Sequence, residues 1–243
     1  MRWRTTLAVA TRVLLQLRRD PRTLVMLLAL PCAVLSLLWW MFPGGSQIGF
    51  QALAPPLLAL IPFIVMFLVT SVTTLRERTS GTLERLLAMP MGRGDFLGGY
   101  AMAFGAAAVA QSALAVLLCI GPLGLNVNGP VLMLGVVAIA DAVLGTALGL
   151  LVSAFARTEF QAVQFMPVVV IPQILLCGLF RPRHELPNVL RQISDVLPLS
   201  YATDAMKEVV SNTSGVGGDL LIVVGYAVAG LALGALTLRR RTT

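Results

Sequence analysis

Long apolar runs separated by short polar breaks are the dominant pattern of the chain. Six runs, at 24–42, 53–75, 96–120, 131–155, 160–180 and 219–238, are each close to the ~20 residues that an α-helix needs to cross a bilayer. They do not alternate polar and apolar every second residue, which is the pattern of a β-barrel strand. Trp39 and Trp40, near the far end of the first run, are placed as interfacial aromatics are. Pro62 lies inside the second run, where a proline kinks a helix. Asp95, directly before the third, is read as its N-cap. The prediction is an all-α polytopic membrane protein with six transmembrane helices.

The breaks carry patterns of their own. In residues 1–23, Trp3, Leu7, Ala10, Val13, Leu14 and Leu17 recur at three- and four-residue spacing, with Arg4, Arg12, Arg18 and Arg19 between them. This predicts an amphipathic helix in the headgroup region, apolar side down and guanidinium groups toward anionic lipid. Asp20 and Pro21 end it, and a proline in the first turn of the next helix is tolerated. Residues 76–95 are the only sustained polar run between this arm and residue 180. Arg76, Glu77 and Arg78 open it, and Ser80 and Gly81 start a helix whose apolar face is Leu83, Leu86 and Leu87 at i, i+3, i+4. Pro90 stops that helix, because the residue before a proline is pushed out of the α region. Such a stretch reads either as a docking surface or as a solvated loop whose arginines only fix topology, and its length and apolar helical face favour docking.

Residues 121–130 carry no charge, whereas 181–218 are mixed in charge and too polar to span. In the latter, Val189, Leu190, Ile193, Val196 and Leu197 share one helical face, and Tyr201, Ala205, Met206 and Val209 share another, with Pro198 between them. That predicts two short amphipathic helices resting on or dipping into the bilayer surface, followed by a flexible connector at 211–218.

Composition agrees with this division. The chain is 57% hydrophobic and 12% charged, against about 25% charged for a soluble domain, and its mean hydropathy is +0.87. The net charge of +7 invites a nucleic-acid reading, but its distribution argues against one. Six spans put both termini on one side of the membrane. That side holds fourteen of the eighteen Lys and Arg residues, which the positive-inside rule places in the cytoplasm. The basic charge is therefore topological. Arg12, Arg18, Arg19 and Arg22 interrupt what would be the apolar core of a cleavable signal, so the first span itself is expected to direct insertion.

Catalytic patterns are absent from the sequence. There is no H-E-x-x-H, G-x-S-x-G or G-x-x-x-x-G-K-[ST], and His184 is the only histidine. Cys32, Cys119 and Cys177 lie far apart in apolar segments and read as small buried hydrophobes. Asp141 is the only acid well inside an apolar run, and an unpaired charge there costs about 3 kcal/mol or more. It reads either as a proton or cation relay or as a carboxyl hydrogen-bonded between helices to Gln111 or Gln164. Gly145 and Gly149 share roughly its face and would let a neighbouring helix approach closely. Gln161, Gln164 and Gln173, with Pro167 and Pro172, make the fifth span the most polar, so it either lines a pathway or bonds across helices. Gly230 and Gly234 form a weak small-xxx-small signal.

The run from Arg76 through Gly81, Thr82, Leu83, Glu84, Arg85, Leu86 and Leu87 to Pro90, followed by Gly92 and Arg93, resembles the cytoplasmic-loop signature of ABC-2 type transporter permeases. Arg19, Asp20, Pro21 and Arg22 resemble that family's entry to the first span. Leu197, Pro198, Leu199, Ser200, Tyr201 and Ala202 resemble its motif before the last span. The resemblance implies a single permease domain over 1–243: a connecting helix at 1–23, spans at 24–75, a coupling loop at 76–95, spans at 96–180, outward re-entrant helices at 181–218, and the last span with a basic tail at 219–243. It implies no enzyme in this chain. A separate ATPase subunit would carry ATP and magnesium, and a second permease subunit would complete a homodimer or heterodimer. The substrate would be a hydrophobic or amphiphilic drug, lipid or glycolipid-like molecule exported across the plasma or inner membrane. Arg76, Glu77, Arg78, Gly81, Thr82, Leu83, Glu84, Arg85, Leu86, Leu87 and Pro90 would couple to the ATPase. Asp141, Gln111, Gln164 and Gln173 are candidates for the pathway. Two other readings stay open at this point, a proton-coupled secondary transporter using Asp141 and a non-transporting membrane scaffold.

Overall fold

A computed structural model describes residues 3–42, 49–79 and 93–237 of the chain. Its helices are α1 (Trp3–Arg19), α2 (Pro21–Met41), α3 (Phe50–Thr79), α4 (Arg93–Ile120), α5 (Val131–Val152), α6 (Glu159–Leu176), α7 (Asn188–Val196), α8 (Pro198–Ser211) and α9 (Val216–Thr237), with one 3-10 turn at Arg183–Glu185. No strand occurs among the described residues. Six of these helices, α2, α3, α4, α5, α6 and α9, are long and apolar enough to cross a membrane.

Local chemistry explains the helix ends. Asp20 caps α2, its carboxylate accepting from the Thr23 backbone N–H at 3.2 Å and from the Thr23 hydroxyl at 2.7 Å, and Pro21 occupies the first turn. Thr158 caps α6 by accepting from the Gln161 N–H. Asn212 closes α8 in the left-handed region at φ 57°, which asparagine tolerates better than most side chains. Several boundaries depart from expectation. Asp95 does not cap α4 but lies buried inside its first turn. The sixth span starts at Val216, so the connector is shorter than 211–218. The fifth ends at Leu176 rather than residue 180. Most consequentially, α3 continues four residues past Leu75, taking Arg76, Glu77, Arg78 and Thr79 into the helix.

Helix α5 is the hub, packed on α3, α4, α8 and α9. Its glycines make that possible. A Cβ on Gly145 would strike the Phe63 carbonyl oxygen, and one on Gly149 would lie 2.5 Å from that of Phe67, so α3 passes in near-backbone contact. Gly230 of α9 sits against Ala147 of α5 in the same way, though less tightly, at 3.3 Å from a built Cβ. Helix α1 runs along α4, with Val9, Ala10 and Val13 buried there. Gly99 provides the seat, since a Cβ would lie 2.6 Å from Val9. Trp3, Leu7 and Leu14 form a neighbouring stripe that stays exposed. The arm is thus amphipathic as expected, but its apolar residues divide between a protein-facing stripe and an outward one.

The segment before the last span holds the two expected short helices. In α8, Ala205, Met206 and Val209 are buried among α3, α5 and α9. In α7, Val189, Leu190, Ile193 and Val196 share a face as read from the sequence, and that face is exposed. Arg183 ties the segment together: its guanidinium donates to Asp195, Asp204 and the Ser194 hydroxyl and stacks over the Tyr201 ring at 5.0 Å.

Candidate functional site

The last turn of α3 is where three separate parts of the chain meet. Leu75, 2% exposed, inserts between Ala156, Ala162 and Phe165, which fixes the end of α3 against the start of α6. One residue on, Arg76 reaches Glu159 in a two-pronged contact, Nε to Oε1 at 3.0 Å and Nη2 to Oε2 at 3.1 Å. Glu159 lies in the first turn of α6, where a carboxylate also meets the positive end of the helix dipole. The next residue points the other way. Glu77, 8% exposed, accepts from Arg12 Nη2 at 3.2 and 3.1 Å and from Gln16 Nε2 at 3.0 Å, both on α1.

Neighbouring residues on a helix diverge by about 100°, so one turn grips two elements at once. The energies differ. Arg76 and Glu159 have side chains 62% and 47% exposed, and exposed pairs contribute about 0.2–1 kcal/mol. Arg12 and Glu77 are 31% and 10% exposed, and removing one partner there strands a charge in a poorly solvated place. The α1 tie is therefore the stronger. The sequence singles out Arg76 and Glu77 as residues that would couple to an ATPase, not as ties within the chain; the signal that α1 holds Glu77 is only the presence of Arg12 and Gln16, one turn apart on the arm. Arg78 continues α3, and Gly81, Thr82, Leu83, Glu84, Arg85, Leu86, Leu87 and Pro90 lie outside the described residues.

Beside this junction a cavity of about 730 Å³ opens between α1, α2 and α3, with Phe104 of α4 and Val163 of α6 on its walls. Its body is apolar, formed by residues such as Met26, Leu30, Val65 and Val69, and its polar groups (Gln16, Asp20, Thr23, Thr73, Arg76, Glu77) gather at the arginine-rich end. The Asp20 carboxyl is held below the usual carboxylate range by the Thr23 hydroxyl and backbone N–H, with a smaller contribution from the Arg76 charge.

The pathway candidates do not converge. Asp141 is fully buried in α5 and neither carboxylate oxygen has a hydrogen-bond partner. Gln111 is also buried and unbonded through its side chain, although its neighbour Ser112 donates to the Ala138 carbonyl at 3.1 Å, one turn from Asp141. Gln164 is exposed on α6 and does not meet Asp141. Gln173 is buried and structural, donating to the Val169 carbonyl and accepting from the Leu199 N–H. The expected hydrogen bond from Asp141 to Gln111 or Gln164 is thus not made. Facing polar groups on adjacent helices depends on their relative rotation, which spacing does not define. Among the described residues no group of His, Cys, Asp and Glu is arranged to hold a metal ion.

Residues 4–210 match the family described as ABC-2 type transporter. The chain is similar to ABC transporter G family member 20 of Dictyostelium discoideum, 27% identical over 69% of this chain and 23% of that protein. It is also similar to the probable multidrug ABC transporter permease YbhR of Escherichia coli, 28% identical over 64% of this chain and 42% of the relative. A third relative is the linearmycin resistance permease protein LnrN of Bacillus subtilis, 26% identical over 66% of this chain and 41% of the relative. The match covers less than half the length of each of these three.

Proposed function

The chain belongs to the ABC-2 type transporter family, a multi-pass membrane subunit of an ABC transporter, and on that premise we propose that it exports a hydrophobic or amphiphilic substrate using ATP hydrolysed on a separate ATPase subunit. The observation that carries the reading is the junction at the end of α3. The stretch that resembles the coupling motif begins at Arg76, in a turn bonded to α1 through Glu77 and to α6 through Arg76. A displacement of that segment would reach the arm and two spans without any long lever. Leu83, Leu86 and Leu87 form the apolar face that docks in the ATPase, and Glu84, Arg85 and Arg78 are its polar rim. Burying three leucines is worth about 5 kcal/mol at most before ordering entropy is subtracted. That suffices for docking and is too little to drive transport, so the work comes from nucleotide binding.

In this reading ATP and magnesium sit on the partner, two permease subunits form the transporter, and both termini face the cytoplasm of a cell bounded by this plasma or inner membrane. The relatives' names include a multidrug permease and a linearmycin resistance permease, which favours amphiphilic cargo. The test is Leu86→Asp and Leu87→Asp in cells that also express the cognate ATPase. Both variants are expected to insert normally and to leave ATP hydrolysis running while efflux of a fluorescent amphiphilic dye falls at least tenfold. Normal efflux beside a bound ATPase would remove the coupling role from this segment. Asp141→Asn separates the proton-driven alternative, because it abolishes transport only if Asp141 carries the proton.

A further inference from the structure

The cavity between α1, α2 and α3 has the dimensions of one leaflet. Along α3 it is lined from Glu77 to Val65, which at 1.5 Å per residue is about 18 Å. Half of a bilayer's ~30 Å hydrocarbon core is about 15 Å. A slot that is polar only at its arginine-rich end and apolar to the membrane midplane matches a molecule standing in that leaflet, head at the surface and chain inward. Its volume of about 730 Å³ lies in the range of small-molecule sites. Met26 and Leu30, at 62% and 44% exposure, leave its flank open to the bilayer, so entry needs no passage through water.

The charges at the mouth select the head. Arg76 is engaged by Glu159, Glu77 by Arg12 and Gln16, and Asp20 by both donors of Thr23. Among the described residues, every charged group lining the mouth already has a hydrogen-bonding partner in this chain. An incoming head with net charge would face one of them uncompensated, at a cost in partly desolvated surroundings. A head without net charge meets donors and acceptors of both kinds. We infer that this crevice binds one amphiphile of the arginine-rich leaflet, with an uncharged or zwitterionic head against Arg76, Asp20 and Thr23 and its chain along Leu30, Val69 and Val65.

This rests on the transporter reading for its meaning but not for its measurement, because binding is read on the full chain alone, without ATPase or ATP. The purified chain is placed in vesicles of phosphatidylethanolamine and phosphatidylglycerol containing a trace of phosphatidylcholine that carries a photoactivatable group in its acyl chain. Irradiation is expected to label the peptides containing Met26, Leu30 and Val69. The same group on phosphatidylglycerol is expected to label them at a third of that level or less. Leu30→Trp and, separately, Val69→Phe fill the slot and should each lower labelling at least fivefold, while Leu233→Trp on the exposed face of α9 leaves it unchanged. Equal labelling by the anionic probe overturns the head assignment, and unchanged labelling in both filled variants overturns the site. Should Met26→Cys instead cross-link in high yield to a second copy with no lipid labelling, the crevice is filled by the partner subunit and the inference fails. No labelling of the unsubstituted chain beside normal dye efflux sinks the inference alone, whereas efflux lost in Leu86→Asp bears only on coupling.

Discussion

A single added carbon decides whether α3 and α5 can pack. Gly145 and Gly149 face the carbonyl oxygens of Phe63 and Phe67, and a backbone oxygen cannot swing aside as a side-chain tip can. Gly145→Ala is therefore expected to destabilise the protein by about 1–3 kcal/mol, the usual cost of overpacking. Gly135→Ala, where a built Cβ meets nothing within 4 Å on the same helix, should be neutral or up to ~1 kcal/mol stabilising through helix propensity. Denaturant titration in mixed micelles compares the two; equal effects would mean that α3 and α5 lie farther apart. Asp141 sits on the same helix with no bonded partner, and its asparagine isostere should leave both folding and dye efflux near wild-type levels. The glycine spacing was legible because four-residue periodicity is local to one helix. The seat that Gly99 provides for Val9 was not, since that contact joins two helices ninety residues apart and no local pattern records it.

Elements obey a similar division between what is local and what is not. All six long helices were legible because apolar composition over ~20 residues is a strong signal that needs no partner. Their ends were less so, and α3 shows why. Charged residues at 76 and 77 read as the start of a loop, yet each finds an opposite charge on another element and the helix runs on to Thr79. The periodicity of α7 was equally clear, but the face it defines is exposed; in a membrane protein an apolar face does not say whether lipid or protein will cover it. For the arm, Arg12→Ala and Glu77→Ala should each cost about 1–3 kcal/mol, less than a fully buried pair because Arg12 is 31% exposed. The double variant should cost roughly 1 kcal/mol less than the sum of the two. Strict additivity in a double-mutant cycle would mean that α1 is held by Val9, Ala10 and Val13 alone.

At the scale of the whole molecule, the junction at the end of α3 can serve an ATPase only if it faces the cytoplasm. The arginine asymmetry makes that a measurable statement. Asn126, in the uncharged loop after α4, and His184, before α7, are exposed on one side of the helix array, and Arg157, before α6, is exposed on the other. With Cys32, Cys119 and Cys177 replaced, single cysteines at these positions report sidedness through a membrane-impermeant maleimide. Cysteines at 126 and 184 are expected to react in intact cells, and the cysteine at 157 only after permeabilisation. The reverse pattern would put Arg76, Glu77 and the 80–92 segment outside, away from ATP. It would leave the family membership intact while withdrawing the coupling mechanism and moving the proposed amphiphile to the opposite leaflet.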